Sequence, residues 1–394
     1  MSNKLLKLTE KIEPIFSKGG KYPWLHSTFD AFDTFLFVPG TTTAKGSHVR
    51  DCVDLKRLLI IVVMALLPAF CFGVWNIGDQ HSLAFGLGYG FWQKVGYGLL
   101  RIIPLYLVSY IVGLGIEFAA AQIKGEEVSE GYLVSGFIIP LIVPVDVPLW
   151  TLAIAVAFAV LFGKEVFGGT GMNIWNPALL ARAFLFFAYP TKMSGDTVWT
   201  GGVNRYLSEG SCWFSSESGL VDGWSGATPL ASFADPAHAM QGMPDAWQLF
   251  VGNVGGAVGE TSVIAILIGA FILIFTGIAS WKIMFSSVLG ALAIGGLGYV
   301  TGFTDVPCWY HLLLGGFAFG TVFMATDPVT AAQTETGKWI YGFLIGALCV
   351  TVRLFNPGYP EGMMLSILLM NTFAPLIDHC VVNASIRRHY KKIA

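Results

Sequence analysis

Ten stretches of mostly apolar sequence follow one another down this chain, and they leave little room for a water-soluble fold. They lie at about 57–76, 98–123, 131–144, 148–163, 176–190, 261–280, 283–301, 309–326, 338–355 and 362–385. A helix crosses a bilayer with roughly 20 apolar residues, because lipid offers the backbone no partner and a helix satisfies its own. Composition agrees: 54% of the residues are hydrophobic and 12% charged, against about 25% charged in a soluble domain. The expectation is an all-α polytopic membrane protein with about ten transmembrane helices. The third and fifth stretches are short and broken by Pro and Gly. Interrupted spans in membranes usually line a site, since their freed backbone groups must be satisfied inside protein.

Charge sets the orientation. Cytoplasmic segments collect Lys and Arg. With the N-terminus inside, Arg50, Lys56, Arg57, Lys124, Lys164, Lys282, Lys338 and the tail RRHYKK all fall inside. Residues 191–260 then lie outside, with two Lys/Arg against seven Asp/Glu. The predicted division is a cytoplasmic N-terminal segment (1–56), a first membrane repeat (57–190), an outer loop (191–260), a second membrane repeat (261–386) and a cytoplasmic tail (387–394). In the N-terminal segment Leu5, Leu8, Ile12, Ile15 and Phe16 recur at helical spacing. That pattern predicts an amphipathic helix on a partner or on membrane lipid, cut short or kinked at Pro14. A net charge of −2 gives no reason to expect a nucleic-acid partner. The six cysteines are scattered, without CxxC or clustered His, so no metal site is predicted.

The two membrane halves echo each other. LVSGF at 133–137 matches LLGGF at 313–317. Asp146 follows the first by nine residues and Asp327 follows the second by ten; Asn176-Pro177 and Asn356-Pro357 each begin 39 residues after the Phe that ends the match. Five spans per half is an odd number, so the second half inserts inverted. Inverted repeats place sites near the midplane at broken helices, in channels and transporters alike.

The outer loop carries DGWSGATPL at 222–230. Gly223 and Gly226 free the backbone for turns, and Pro229 pushes Thr228 toward an extended conformation. The Thr228 hydroxyl is thereby presented with little steric cover. Spacing alone favours an ordinary Gly/Ser turn.

DGxSGAT resembles the acceptor motif of bacterial flavin transferases, which link flavin mononucleotide through its phosphate to a threonine hydroxyl outside the cytoplasmic membrane. SHVRDCVDLKRLLI (47–60), GKEVFGGTGMNIWNPALLARAFLFFAYP (163–190), GGFAFGTVFMATDPVTA (315–331) and NPGYPEGMMLSILLMNTFAP (356–375) resemble the B subunits of sodium-translocating NADH:quinone oxidoreductases over nearly the whole length. The related D subunits of Rnf complexes share the flavin motif but lack the long polar N-terminal segment. The resemblance implies a redox subunit of a bacterial inner membrane, in a six-subunit complex matured by a flavin transferase, with residues 191–260 periplasmic. It implies covalent FMN at Thr228, recognised through Asp222, Ser225 and Gly226, a noncovalent riboflavin between the repeats, and reduction of ubiquinone or menaquinone coupled to export of Na+. Riboflavin contacts fall on Asn173, Asn176 and Asp327 at the paired break points. The competing expectations are a non-redox transporter or channel on the same plan and the Rnf flavoprotein.

Each of these residues also has a plainer reading. Asn176 before Pro177 fits a helix N-cap, and so does Asp327 before Pro328. Ionisable groups at membrane depth default to function, and Glu117 and Asp378 are the acidic candidates for the ion pathway, since a hard cation takes oxygen ligands. Lys164 and Glu165 sit near an inner end, where solvation accounts for them. Gly113 and Gly115 are small enough to admit a flat quinone ring, although helix packing is the commoner use of such residues. Arg182 is expected to cap or pair locally, or to face a cofactor phosphate. No GxGxxG stands between a strand and a helix, so NADH is expected to bind another chain of the complex.

Overall fold

In a computed structural model of the chain, the residues described are 55–124, 131–193, 199–202, 226–356 except 236, 358 and 361–393, with isolated positions between 11 and 47. Most of the predicted N-terminal amphipathic helix, and Asp222 and Ser225, lie outside them. The described residues form helices and turns, with no strand among them.

We label the helices α1 (Leu55–Ala84), α2 (Phe91–Lys124), α3 (Tyr132–Ile142), α4 (Leu149–Gly163), α5 (Pro177–Ala188), α6 (Ala246–Val251), α7 (Val263–Phe275), α8 (Trp281–Val300), α9 (Tyr310–Leu313), α10 (Phe317–Phe319), α11 (Glu335–Phe355) and α12 (Met363–Ile393). Among the described residues, six segments are long and apolar enough to cross a membrane: Arg57–Ala84, Phe91–Lys124, Leu149–Phe167, Trp281–Val300, Glu335–Phe355 and Met363–Tyr390. The stretches predicted at 131–144, 176–190 and 261–280 become the shorter apolar helices α3, α5 and α7. The stretch at 309–326 is divided. Gly315 breaks it at φ +56° between α9 and α10, and a π-turn at Gly320–Met324 follows, closed by Ala325 N donating to Gly320 O at 2.7 Å.

Local chemistry explains the short pieces. Asn176 caps α5 by accepting from Ala178 N (3.0 Å) and Leu179 N (3.4 Å), with Pro177 at the first helical position. Ser262 caps α7 through Ala265 N, and Thr334 caps α11 through Gly337 N. Asp327, by contrast, starts no helix. Its carboxylate accepts from Val329 N (3.2 Å) and Thr330 Oγ1 (3.0 Å) and closes a turn, and α11 begins only at Glu335.

Helices α1 and α2 overrun their predicted apolar ends, and their polar residues are paired there rather than solvated. Asn76 donates to Val254 O at 3.1 Å, Lys94 pairs with Asp79 at 2.6 Å, and His81 Nδ1 lies 2.8 Å from Gly201 O. The overrun thus holds residues 201 and 254 on both sides of the loop that contains Thr228. In the second half, α8 and α11 meet backbone to backbone. A Cβ on Gly290 would lie 2.1 Å from Phe343 O, and one on Gly346 would lie 1.9 Å from Ser287 O. Ser287 Oγ donates to Gly342 O at 3.0 Å across the same seam. Close approach through small residues and polar cross-bonds is how membrane helices adhere where lipid is as apolar as their side chains.

Candidate functional site

Thr228 is half-buried and extended (φ −72°, ψ 153°), and precedes a 3-10 helix over Pro229–Ala234. Its carbonyl accepts from Ala231 N at 2.8 Å, but its side chain makes no capping hydrogen bond. The segment after Thr228 is packed against the rest of the chain. Phe233 is wholly buried and lies against the buried His311 ring, with ring centres 5.2 Å apart, and Leu230 is buried beside Gly315. Gly226 is buried too. Thr228 is thus anchored immediately downstream on the broken segment between α9 and α10.

Thr228 borders a small, partly open cavity of about 60 Å³, lined also by Arg182, Trp199, Leu249, Gly255, Glu260 and Glu361, among others. Arg182, on α5 and nearly fully buried, pairs with Glu260 at 2.5 Å and with Glu361. Its guanidinium lies 6.0 Å from the Trp199 ring centre. The expectation of a local partner for Arg182 is corrected here: Glu260 and Glu361 stand 78 and 179 residues away. Glu260 fits because the neighbouring Gly316 has no side chain: a Cβ there would come within 2.7 Å of its carboxylate. Beneath the cavity, the buried Arg353 donates to His311 O (2.6 Å) and Leu314 O (2.8 Å), satisfying carbonyls left open by the end of α9.

The two predicted break points meet. Asn176 Nδ2 donates to Asp327 Oδ2 at 3.4 Å, linking residues 151 apart. Asn173 is buried and donates to Trp175 O at 3.1 Å. Before them, Gly168, Gly169 and Gly171 all adopt positive φ (118°, 96° and 93°), and a Cβ on Gly169 or Gly171 would meet nothing within 4 Å. Backbone at this turn therefore faces open space. Asp146 does not join that meeting point. It accepts from Gly202 N at 2.7 Å and pairs with Arg101 at 3.3 Å near the end of α3. Burial pushes its carboxyl above the usual range, against the pull of the guanidinium and that amide.

The ion and quinone candidates are spread out. Glu117, on α2, is buried and paired with Lys164, which is equally buried just past α4. Lys164 is therefore not solvated, contrary to expectation, whereas its neighbour Glu165 pairs with the partly exposed Lys124 at 2.8 Å. Asp378, on α12, accepts from Gln333 N (2.8 Å), Thr334 N (3.0 Å) and Thr334 Oγ1 (2.6 Å). It holds the loop that starts α11. Gly113 receives the Tyr132 ring, which a Cβ would meet at 2.0 Å, while Gly115 opens onto clear space.

A sequence model of the NQR2, RnfD, RnfE family matches residues 42–387. The B subunit of the Na(+)-translocating NADH-quinone reductase of Pseudomonas paraeruginosa is 44% identical, over 98% of this chain and 98% of its own length. Its namesake from Stutzerimonas stutzeri is 43% identical over 96% and 97%, and that from Haemophilus influenzae 42% identical over 98% and 98%. With a match across almost the whole membrane region and relatives aligned from end to end, this chain belongs to the NQR2, RnfD, RnfE family, and its full-length relatives there carry the name of the B subunits of Na(+)-translocating NADH-quinone reductases.

Proposed function

We propose that the chain is the membrane flavoprotein of a sodium-pumping NADH:quinone oxidoreductase, with FMN attached at Thr228. The observation that carries this reading is the Thr228 side chain: it makes no capping bond, and it stands at a cavity that joins a cation, an indole and apolar walls. Thr228 would supply the ester oxygen, and Trp199, Leu230 and Leu249 an apolar surface beside it; Arg182 is already held by Glu260 and Glu361, so the phosphate would sit on the open side of Thr228. When bound, a flavin supplies a carrier for one or two electrons; the chain's part is to hold and tune it.

Riboflavin is assigned to the break points, on the open backbone of Gly169 and Gly171 beside Asn173, Asn176 and Asp327. The side-chain amides of Asn173 and Asn176 already have protein partners, so backbone groups carry most of the contact. Quinone, whether ubiquinone or menaquinone, is assigned to the open face at Gly115, next to Gly113. Glu117 and Asp378 are assigned to the Na+ pathway. The arrangement is read as ten spans in two inverted five-helix repeats, α1–α5 and α7–α12 with α9 and α10 counted as one interrupted span, divided at 57–190, 191–260 and 261–386. Both termini are cytoplasmic, and the Thr228 loop is periplasmic, within reach of a flavin transferase. The chain works among the other members of a six-subunit inner-membrane complex, one of which binds NADH.

Thr228→Ala tests the reading. Denatured and run on a gel, the wild-type chain should fluoresce as a flavoprotein and the variant should not. The intact variant complex should lose quinone reduction while electron entry from NADH survives. Thr228→Ser keeps a hydroxyl and should be modified weakly. A fluorescent, fully active Thr228→Ala complex would make the loop an ordinary turn.

A further inference from the structure

A larger cavity, of about 310 Å³, opens where α8 and α11 begin. Its wall includes Trp281, Lys282, Asp327, Gln333, Glu335 and Lys338. Both helices are long and apolar enough to cross a membrane, so their first residues stand at its boundary. Trp281 packs edge-on against Trp339 at 5.8 Å, and Phe285 meets the same ring at 6.0 Å. Trp gathers at the headgroup level of a bilayer, where one side of the ring is apolar and the other wet. Starting at the cavity wall, Trp281, Phe285 and Leu289 follow one another at four-residue spacing down one face of α8, and they are 51%, 50% and 40% exposed. The polar part of the wall alternates in sign. Glu335 is paired with both Lys282 and Lys338, the latter at 2.8 Å. Unlike the buried pairs of Arg182, these lie at the surface: the Glu335 side chain is 65% exposed. Exposed pairs contribute little to stability, so a ligand can replace either contact at small cost. Asp327 presents no open carboxylate to the cavity, because it accepts from Val329 N, Thr330 Oγ1 and Asn176 Nδ2. Asp378, on the α12 side, is likewise engaged by Gln333 N, Thr334 N and Thr334 Oγ1.

We propose that this cavity takes the headgroup of a zwitterionic phospholipid of the phosphatidylethanolamine type, with its acyl chains laid along Phe285 and Leu289. The lipid phosphate meets the ammonium groups of Lys282 and Lys338, and the lipid's own ammonium meets Glu335. A purely anionic headgroup would set a phosphate against Glu335, whereas a headgroup with both signs matches all three side chains. A primary ammonium also donates hydrogen bonds to a carboxylate, which a trimethylated one cannot. The site needs neither a flavin at Thr228 nor an ion pathway. Its occupant bridges the turn between α7 and α8 to residues 326–338, the segment that carries Asp327.

The test uses the intact complex in nanodiscs that contain a phosphatidylethanolamine with a photoreactive acyl chain. Illumination should label Phe285 and Leu289, as mapped by mass spectrometry of the digested chain. Phe271 and Phe275 on α7, 69% and 82% exposed, report ordinary contact with bulk lipid. Lys282→Gln combined with Lys338→Gln should lower the label on α8 by roughly tenfold and leave that on α7 unchanged. Unlabelled phosphatidylethanolamine should compete for the α8 label better than phosphatidylglycerol, which has a phosphate but no ammonium. Glu335→Gln should abolish that preference. Labelling of α8 that survives the double lysine variant, or that falls equally on α7, would reduce the contact to bulk lipid and overturn the site. Phosphatidylglycerol competing as well as phosphatidylethanolamine in the wild type would overturn the headgroup assignment. That wild-type competition decides the matter even if a variant complex does not assemble.

Discussion

Two of the places where the described residues bury charge balance it differently. Near one end of α2 and α4, Glu117 and Lys164 form a closed one-to-one pair, both nearly out of contact with water. Beside Thr228, Arg182 is shared between two carboxylates, and the group opens onto a cavity. A matched buried pair can be exchanged whole for apolar residues at little cost, because the attraction it loses is offset by the desolvation it no longer suffers. A cluster of one cation and two carboxylates has no such exchange by two substitutions: any two changes leave either a lone charge or a different net charge. The Glu117–Lys164 pair thus has the character of a structural joint, and the cluster beside Thr228, open to a cavity, that of a candidate site.

That contrast can be pushed until it breaks. Arg182→Met should have the largest effect, because it leaves two buried carboxylates facing each other. Its cost should exceed the roughly 3–5 kcal/mol typical of stranding one buried charge, read as thermal unfolding of the complex in detergent. Adding Glu260→Gln to it should recover only part of the loss. Lys164→Met comes next, at about 3–5 kcal/mol, and here the double variant with Glu117→Gln should recover most of it. Equal rescue of both double variants would erase the distinction between joint and site. The smallest effect is expected at Glu335, which is paired with Lys282 and Lys338 but well exposed. Glu335→Gln should leave the unfolding temperature unchanged, since exposed pairs contribute little to stability.

How much of this is legible in the sequence depends on the range of each interaction. Asn176 announces its cap because the Asn-Pro pair and the helix it starts are contiguous. Its meeting with Asp327, 151 residues away, is legible only because the halves echo each other. Asp327-Pro328 looks like a second helix start, yet the same Asp-Pro chemistry closes a turn there, and Thr334 takes the cap instead. Arg182 misleads because its partners lie in segments that read as polar connections. The Glu117–Lys164 pair does leave a signal: Glu117 is a lone charge near the end of one apolar run and Lys164, with Glu165 beside it, closes another, and opposite charges at the ends of apolar runs invite pairing. Gly113 and Gly115 look equivalent in sequence. A two-residue offset rotates them by about 200° around a helix, so one faces Tyr132 and the other faces outward.

The seam between α8 and α11 has a mechanical consequence. With Gly290 and Gly346 set against opposing carbonyls, neither helix can slide or roll without driving backbone into backbone. The two must travel as a single strut, so the internal displacement that any ion-moving cycle requires has to be absorbed elsewhere. The soft point nearest at hand is the interrupted stretch through Gly315 and the π-turn at Gly320–Met324, where the regular hydrogen-bond ladder is already lost. Rigidity in one seam therefore concentrates compliance in the stretch whose Gly315 packs against Leu230, two residues after Thr228.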